Sequence, residues 1–114
     1  MPTFNIFVSI PASEIPGDFI GEASKFIAKQ LGKPESYVTV RVVPDQMMCH
    51  GGSRDPCGSV QVMSLGALGP QKNKDHSCAI GEFLEKKLNI KKDRFYITFF
   101  DIARTDCGYG GTTF

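Results

Sequence analysis

Pro2 stands directly after the initiator methionine, and that place gives it a chemistry no side chain offers. Proline is small enough for the methionine ahead of it to be trimmed. Trimming leaves a free secondary amine at the head of the chain. An unperturbed α-amino group has a pKa of about 8. Apolar walls and a neighbouring cation both lower that value, and an amine brought near neutrality accepts protons as a general base. Left untrimmed, Pro2 carries an amide nitrogen without basicity, and a frayed terminus would do nothing. The choice between these readings rests on what surrounds the terminus.

Lys33 is the cation with the best claim to that place. It lies between Gly32 and Pro34, at a corner between a helix and a strand. Most lysines at such corners are solvated; this one serves the amine only if the corner faces the N-terminal strand. The four cysteines, Cys49, Cys57, Cys78 and Cys107, form no Cys-x-x-Cys pair. Zinc ligands usually come in such close pairs, so Cys49-His50, Cys57 and His76-Ser77-Cys78 make a weak metal set. The expectation is thiols in a reducing compartment, with no metal and no cofactor.

Periodicity gives the elements that must position these groups. Residues 2–10 are uncharged and rich in Phe, Ile and Val, a buried strand. Pro2 at its first position costs no ladder bond. Ser13 or Asp18 caps the helix that follows, and Pro16 suits its first turn. Over residues 17–31, Phe19, Ile20, Ala23, Phe26, Ile27 and Leu31 recur at three- and four-residue spacing and mark one helical stripe. Gly32 closes that helix with a left-handed cap, and Pro34 blocks its continuation. Residues 37–43 alternate as a strand, and 46–55 form a loop with Gly51-Gly52 at its tip. Residues 57–68 read as a strand, and Gly69-Pro70 turns the chain. A second helix runs from near Pro70 or Lys72 to about Leu88, and residues 95–100 form a further apolar strand. The Gly-rich tail, 101–114, is either loose or pinned by Tyr109 and Phe114.

A shift of 57 residues, half the chain, superposes the two helical stripes: Phe26, Ile27 and Leu31 fall on Phe83, Leu84 and Leu88. It sends Val38, Val40 and Val42 onto Phe95, Ile97 and Phe99, and Ile6 and Val8 onto Met63 and Leu65. Each half is strand, helix, strand. The expected fold is α+β: two β-α-β repeats forming a four-stranded mixed sheet with two helices on one face. Strands as apolar as 4–10 and 95–100 are normally covered on both sides. Two helices cannot do that, so an oligomer should bury the second face and pair the open edges.

The bounds on function are broad. With 114 residues the chain suits one domain, 1–114. Its 41% apolar and 22% charged residues describe an ordinary globule. A net charge of +1 argues against nucleic acid as the main partner. No apolar run is long enough to span a membrane. The N-terminus has neither a basic nor an apolar leader region. The expected location is the cytoplasm, with any secretion by a route that needs no signal peptide.

One order of motifs is specific. Pro2 begins a strand and Gly32-Lys33-Pro34 follows the first helix. Val42-Val43-Pro44-Asp45-Gln46-Met47-Met48 comes next, then Gly51-Gly52-Ser53 and Asp55-Pro56-Cys57. Ser64-Leu65-Gly66, Asp93-Arg94-Phe95-Tyr96-Ile97 and Thr112-Thr113-Phe114 complete the series. Each is weak alone; together they span the chain. In this order they closely resemble the macrophage migration inhibitory factor family of the tautomerase superfamily, as an invertebrate or parasite member.

That resemblance implies a homotrimer with sites between subunits. It implies a cytokine with keto-enol tautomerase activity towards small aromatic α-keto acids such as phenylpyruvate, and towards dopachrome derivatives. Pro2 matches the catalytic base and Lys33 the lysine that holds a substrate carboxylate or oxyanion. The backbone N–H of Leu65 matches a second anion contact, beside Ser64. Tyr96 matches a tyrosine given by the neighbouring subunit, Tyr109 stands at an aromatic pocket wall, and Thr98 and Phe114 complete the substrate-binding set. Departures are Thr98 for an asparagine at the site mouth, and Thr3 and Cys107 for apolar neighbours. Val60 stands in place of the second cysteine of a thiol-redox motif that begins at Cys57, which argues against thiol oxidoreduction. Ala12 replaces an arginine that, with Asp45, engages chemokine receptors. The alternative function is a ligand for a cell-surface immune receptor with a vestigial pocket.

Overall fold

The computed structural model describes residues 1–114. Its first strand, β1 (Pro2–Val8), lies in the middle of a four-stranded sheet. It leads through a short 3-10 turn at Ala12–Glu14 into helix α1 (Phe19–Leu31). Another such turn, Glu35–Tyr37, precedes β2 (Thr39–Val43). The second half repeats the plan with β3 (Gly58–Ser64), α2 (Pro70–Leu88) and β4 (Phe95–Asp101). The sheet order is β2-β1-β3-β4. β1 runs parallel to β2 and β3 parallel to β4, while β1 and β3 meet antiparallel at the centre. This is the expected mixed sheet of two β-α-β units.

Alternation explains how the sheet holds both helices on one side. Phe4, Ile6 and Val8 of β1, Val60 and Val62 of β3, and Phe95 of β4 are buried against Phe19, Ala23, Ile27 and Leu31 of α1 and Ile80, Leu84 and Leu88 of α2. The helical stripes correspond at a shift of 57 residues, Phe19 with His76 and Ala23 with Ile80 onward. The rings of Phe26 and Phe83, equivalent under that shift, stack with centroids 4.3 Å apart. A contact between equivalent residues must lie on the internal two-fold axis. Both helices end in a left-handed residue, Gly32 at φ 66° and Asn89 at φ 55°.

The repeat is out of step in one place. Phe4 and Ile6 correspond in facing to Val60 and Val62, a shift of one residue fewer than the helices obey. Equating Ile6 with Met63 therefore puts the side chain on the wrong face. A strand has period two, so a one-residue slip reverses every side chain, whereas helical spacing is untouched by a different linker length.

Other differences are local. β3 ends at Ser64 rather than running to Leu68, because Gly66 (φ 73°) and Ala67 (φ 63°) turn the backbone out of extension. Asp18 occupies the cap position of α1 without a side-chain capping bond, and Ser13 lies in the preceding 3-10 turn. The second face of the sheet is mixed rather than apolar. Phe7, Met63, Tyr96 and Phe100 alternate there with Thr3, Asn5, Arg41, Gln61 and Thr98. The Arg41 guanidinium lies 5.2 Å from the Phe7 ring centroid on that face. Composition hid this because strands 2–8 and 95–101 place small polar residues on one side only. The tail is ordered: β5 (Gly108–Tyr109) and β6 (Thr112–Thr113) form a hairpin across Gly110-Gly111, both at positive φ.

Two glycines test this packing with opposite signs. A Cβ on Gly58 would sit 2.8 Å from the Phe7 carbonyl oxygen, whereas Gly21 on the open side of α1 has free space. Gly58→Ala should lower the unfolding free energy by about 1–3 kcal/mol through overpacking. Gly21→Ala should raise it by about 0.5 kcal/mol through helix propensity. Urea denaturation reads both; a Gly58→Ala protein as stable as wild type would disprove the close approach of β1 and β3.

Candidate active site

The antiparallel register sets Pro2 opposite Ser64, and the parallel one sets Ser64 beside Asp101. Three strands thus end together, and the N-terminus leaves the sheet at that edge. Past it lies a cavity of about 490 Å³, lined by Met1, Lys33, Pro34, Tyr37, Leu65, Gly66, Ile102, Ala103, Arg104 and Phe114. Its charged side chains are the cations Lys33 and Arg104, and the remaining wall is largely apolar. Such a lining suits a small anion with an apolar body.

Lys33 reaches this place because α1 stops where it does. The left-handed Gly32 turns the chain, the Lys33 N–H donates to the Ala28 carbonyl at 2.9 Å, and Pro34 prevents another helical turn. The Lys33 ammonium donates to the Leu65 carbonyl at 2.8 Å. An ammonium has three donors, so this bond fixes it while leaving two for a ligand. The corner therefore faces the N-terminal strand, the condition on which its role depends.

The opposite wall is held from the sheet. Ile102 N–H donates to the Ser64 carbonyl at 2.9 Å, and the Asp101 carboxylate accepts from Gly66 N–H at 3.1 Å. The tail closes the rim. Tyr109 stacks on Phe114 at 5.4 Å, and the Tyr37 ring meets both edge-on at 5.6 and 5.7 Å. Tyr109 is 59% exposed and touches the cavity through these rings rather than lining it. Ser64 is fully buried with its hydroxyl unpartnered, behind the cavity rather than in its wall. Pro2 is buried too, with Met1 ahead of it at the cavity.

The Met1 α-amino group has its pKa lowered from 8.0, chiefly by partial burial; the Cys107 thiol opposes the shift and Lys33 adds to it.

The structure does not bring Tyr96 or Thr98 to this cavity. Tyr96 pairs with Ser59, five residues from the Ser64–Asp101 end of the sheet, or about 17 Å along the strand. It points to the open face and is 76% exposed. Its ring rests 5.3 Å from that of His50. Arg94 staples the loop beneath, donating to the carbonyls of His50, Ser53, Asp55 and Pro56. Thr98 faces the same way. Tyr37, Ile102 and Arg104 were not singled out by sequence reasoning. Tyr37 had a signal, an aromatic four residues after Lys33; Ile102 and Arg104 follow the last strand and had none.

A family model described as macrophage migration inhibitory factor (MIF) matches residues 1–114. The chain belongs to the macrophage migration inhibitory factor family. It is 40% identical to the family homologue of Trichinella spiralis over 100% of both chains, and 42% identical to that of Brugia malayi over 100% of this chain and 99% of the other. The solved macrophage migration inhibitory factor of Trichinella spiralis superposes with a TM-score of 0.96 at 38% identity, covering 98% of this chain and 99% of that one. The family resemblance read from the residues is thereby borne out, and the double β-α-β fold with it.

The cation pair predicts what the cavity holds. Lys33→Met should weaken binding of a simple aromatic carboxylate such as benzoate by roughly tenfold, the loss expected for one charge-assisted bond. The neutral methyl ester should be much less affected. Equal losses for acid and ester, followed by isothermal titration, would show that Lys33 does not meet the carboxylate.

Proposed function

We propose that this family member is a keto-enol tautomerase of small aromatic α-keto acids, of which phenylpyruvate and dopachrome derivatives are the test substrates. The observation that carries the reading is the Lys33 ammonium fixed 2.8 Å from the Leu65 carbonyl in the wall of the cavity at the N-terminus. Removal of Met1 leaves the Pro2 nitrogen as a secondary amine at that wall. The neutral amine takes a proton from the carbon next to the substrate carbonyl, and the C–H electron pair becomes the enol double bond. Charge gathers on the carbonyl oxygen, where the Leu65 N–H and one of the two free Lys33 donors stabilise it, while the other Lys33 donor meets the substrate carboxylate. The protonated Pro2 then gives its proton to that oxygen. No electrons leave the substrate, so no cofactor is required. The Tyr37, Tyr109 and Phe114 rings hold the aromatic body.

Tyr96 enters this scheme from a neighbouring subunit of a homotrimer. Its exposure, the open edges of β2 and β4, and the mixed second face support that assembly. The receptor-ligand reading has one observation in its favour: Ala12 N–H donates to the Asp45 carboxylate at 3.4 Å, so those two surface positions adjoin. In this reading the chain acts outside the cell. A Pro2→Gly protein that still directs cell migration would separate the two roles.

Three measurements test the enzyme. Intact mass of the native protein should show Met1 absent. Pro2→Gly should lower kcat/KM by about 10²–10⁴, the contribution of a positioned base, and full activity in that variant would refute the assignment. The pH profile follows from the place the Pro2 amine takes once Met1 is removed, beside apolar walls and the Lys33 ammonium, both of which lower an amine's pKa. The base form exists above that pKa, so kcat/KM falls as pH drops through it. Lys33→Ala removes a neighbour that lowers the pKa and should move the midpoint upward.

Subunit sharing has its own test. Pro2→Gly and Tyr96→Ala proteins should each be weakly active, and refolding them together should restore part of the activity. No gain on mixing would place each complete site within one chain.

A further inference from the structure

His76 lies on the buried stripe of α2, where the repeat places Phe19 in α1. A packing role alone is met by phenylalanine in the first half. In the second half the imidazole, 6% exposed, commits both nitrogens to protein groups. Nε2 lies 2.8 Å from the Ala67 carbonyl oxygen and Nδ1 lies 2.9 Å from the Gln30 side-chain nitrogen. A carbonyl oxygen only accepts, so Nε2 carries the proton. In the neutral ring Nδ1 is then the acceptor for the Gln30 amide N–H. One tautomer satisfies every partner.

The two partners are what give the ring a role. Gln30 sits in the last turn of α1, three residues before Lys33. Ala67 sits two residues after Leu65 and holds a left-handed φ of 63°, a conformation that a residue with a Cβ keeps only when its surroundings impose it. His76 therefore joins, from behind, the same two segments that the Lys33–Leu65 bond joins at the cavity.

We propose that His76 is a positioning residue for the anion-binding wall: its bond to Ala67 holds the 65–69 turn so that Leu65 and the Lys33 ammonium keep their places. This rests on the reading that the Lys33 cavity binds an anionic substrate. The ring does not touch the cavity, so its effect falls on binding more than on proton transfer.

His76→Leu keeps bulk and loses both bonds. It should raise KM for phenylpyruvate about fivefold, the size of one lost buried hydrogen bond, with kcat changed by less than about twofold. Amide hydrogen exchange at residues 66–68 should quicken by a similar factor. His76→Gln, whose amide can donate to the Ala67 carbonyl, should recover both. If His76→Leu does not fold, His76→Asn carries the test, since its shorter amide retains Gln30 but falls short of Ala67. A lowered Tm with KM and exchange unchanged would show that the ring only packs. Equal defects in the Gln and Leu variants would equally overturn the proposal. Exchange is read on the unliganded protein, so an inactive wild type would sink the tautomerase reading without deciding this one.

Discussion

The antiparallel ladder between β1 and β3 is the constraint on which the rest depends. It pairs Pro2 with Ser64 and Val8 with Gly58, fixing every side chain of both strands to one face or the other. It welds two β-α-β units into a single sheet, since each unit alone supplies only one parallel pair. It also determines where the first residue emerges. The N-terminus, usually the loosest part of a chain, is locked into the centre of the sheet and delivered beside Leu65.

From that lock the site is assembled by stops rather than by continuous elements. α1 must end at Gly32 for Lys33 to turn inward, and β3 must end at Ser64 for Leu65 to offer its carbonyl. Each termination has a backbone cause: left-handed Gly32 with Pro34 after it, and left-handed Gly66 and Ala67. The bond between Lys33 and Leu65 then ties the two ends together at 2.8 Å. Its energy in isolation is modest. Its larger effect is to hold a flexible four-carbon side chain in one place before any ligand arrives, so that less freedom is lost on binding.

Much of this was legible in the residues, and the failures have identifiable causes. Helical stripes at 19, 23, 27 and 31 and at 80, 84 and 88 could be read because helical periodicity survives small errors of alignment. The first strand of each repeat could not be aligned as safely, because one residue's slip exchanges core and surface. The Gly110-Gly111 pair signalled a two-residue hairpin of the kind that needs positive φ at both positions, yet the tail's length and glycine content also suited a loose end. Pro2 and Lys33 were visible from residue type and from the corner that holds Lys33. Ile102 and Arg104 were not, since they reach the cavity only through the pairing of β4 with β3, and no local pattern encodes a pairing across 37 residues. His76 drew notice as a stray metal ligand beside Cys78. Its actual partners, a glutamine and a backbone carbonyl, belong to no motif.

The internal two-fold axis, marked by the stacked rings of Phe26 and Phe83, would by itself supply two equivalent corners per chain. Only one has the groups that the proposed reaction needs. Where the first repeat has Lys33 the second has Ile90, buried in the core, and where β1 can begin with a free nitrogen β3 begins with an ordinary peptide link to Cys57. A polypeptide has a single head, so duplicating the scaffold cannot duplicate a reaction centre built on it. The surplus half is released to serve as support, which leaves its helix free to carry an imidazole where its twin needs a phenyl ring.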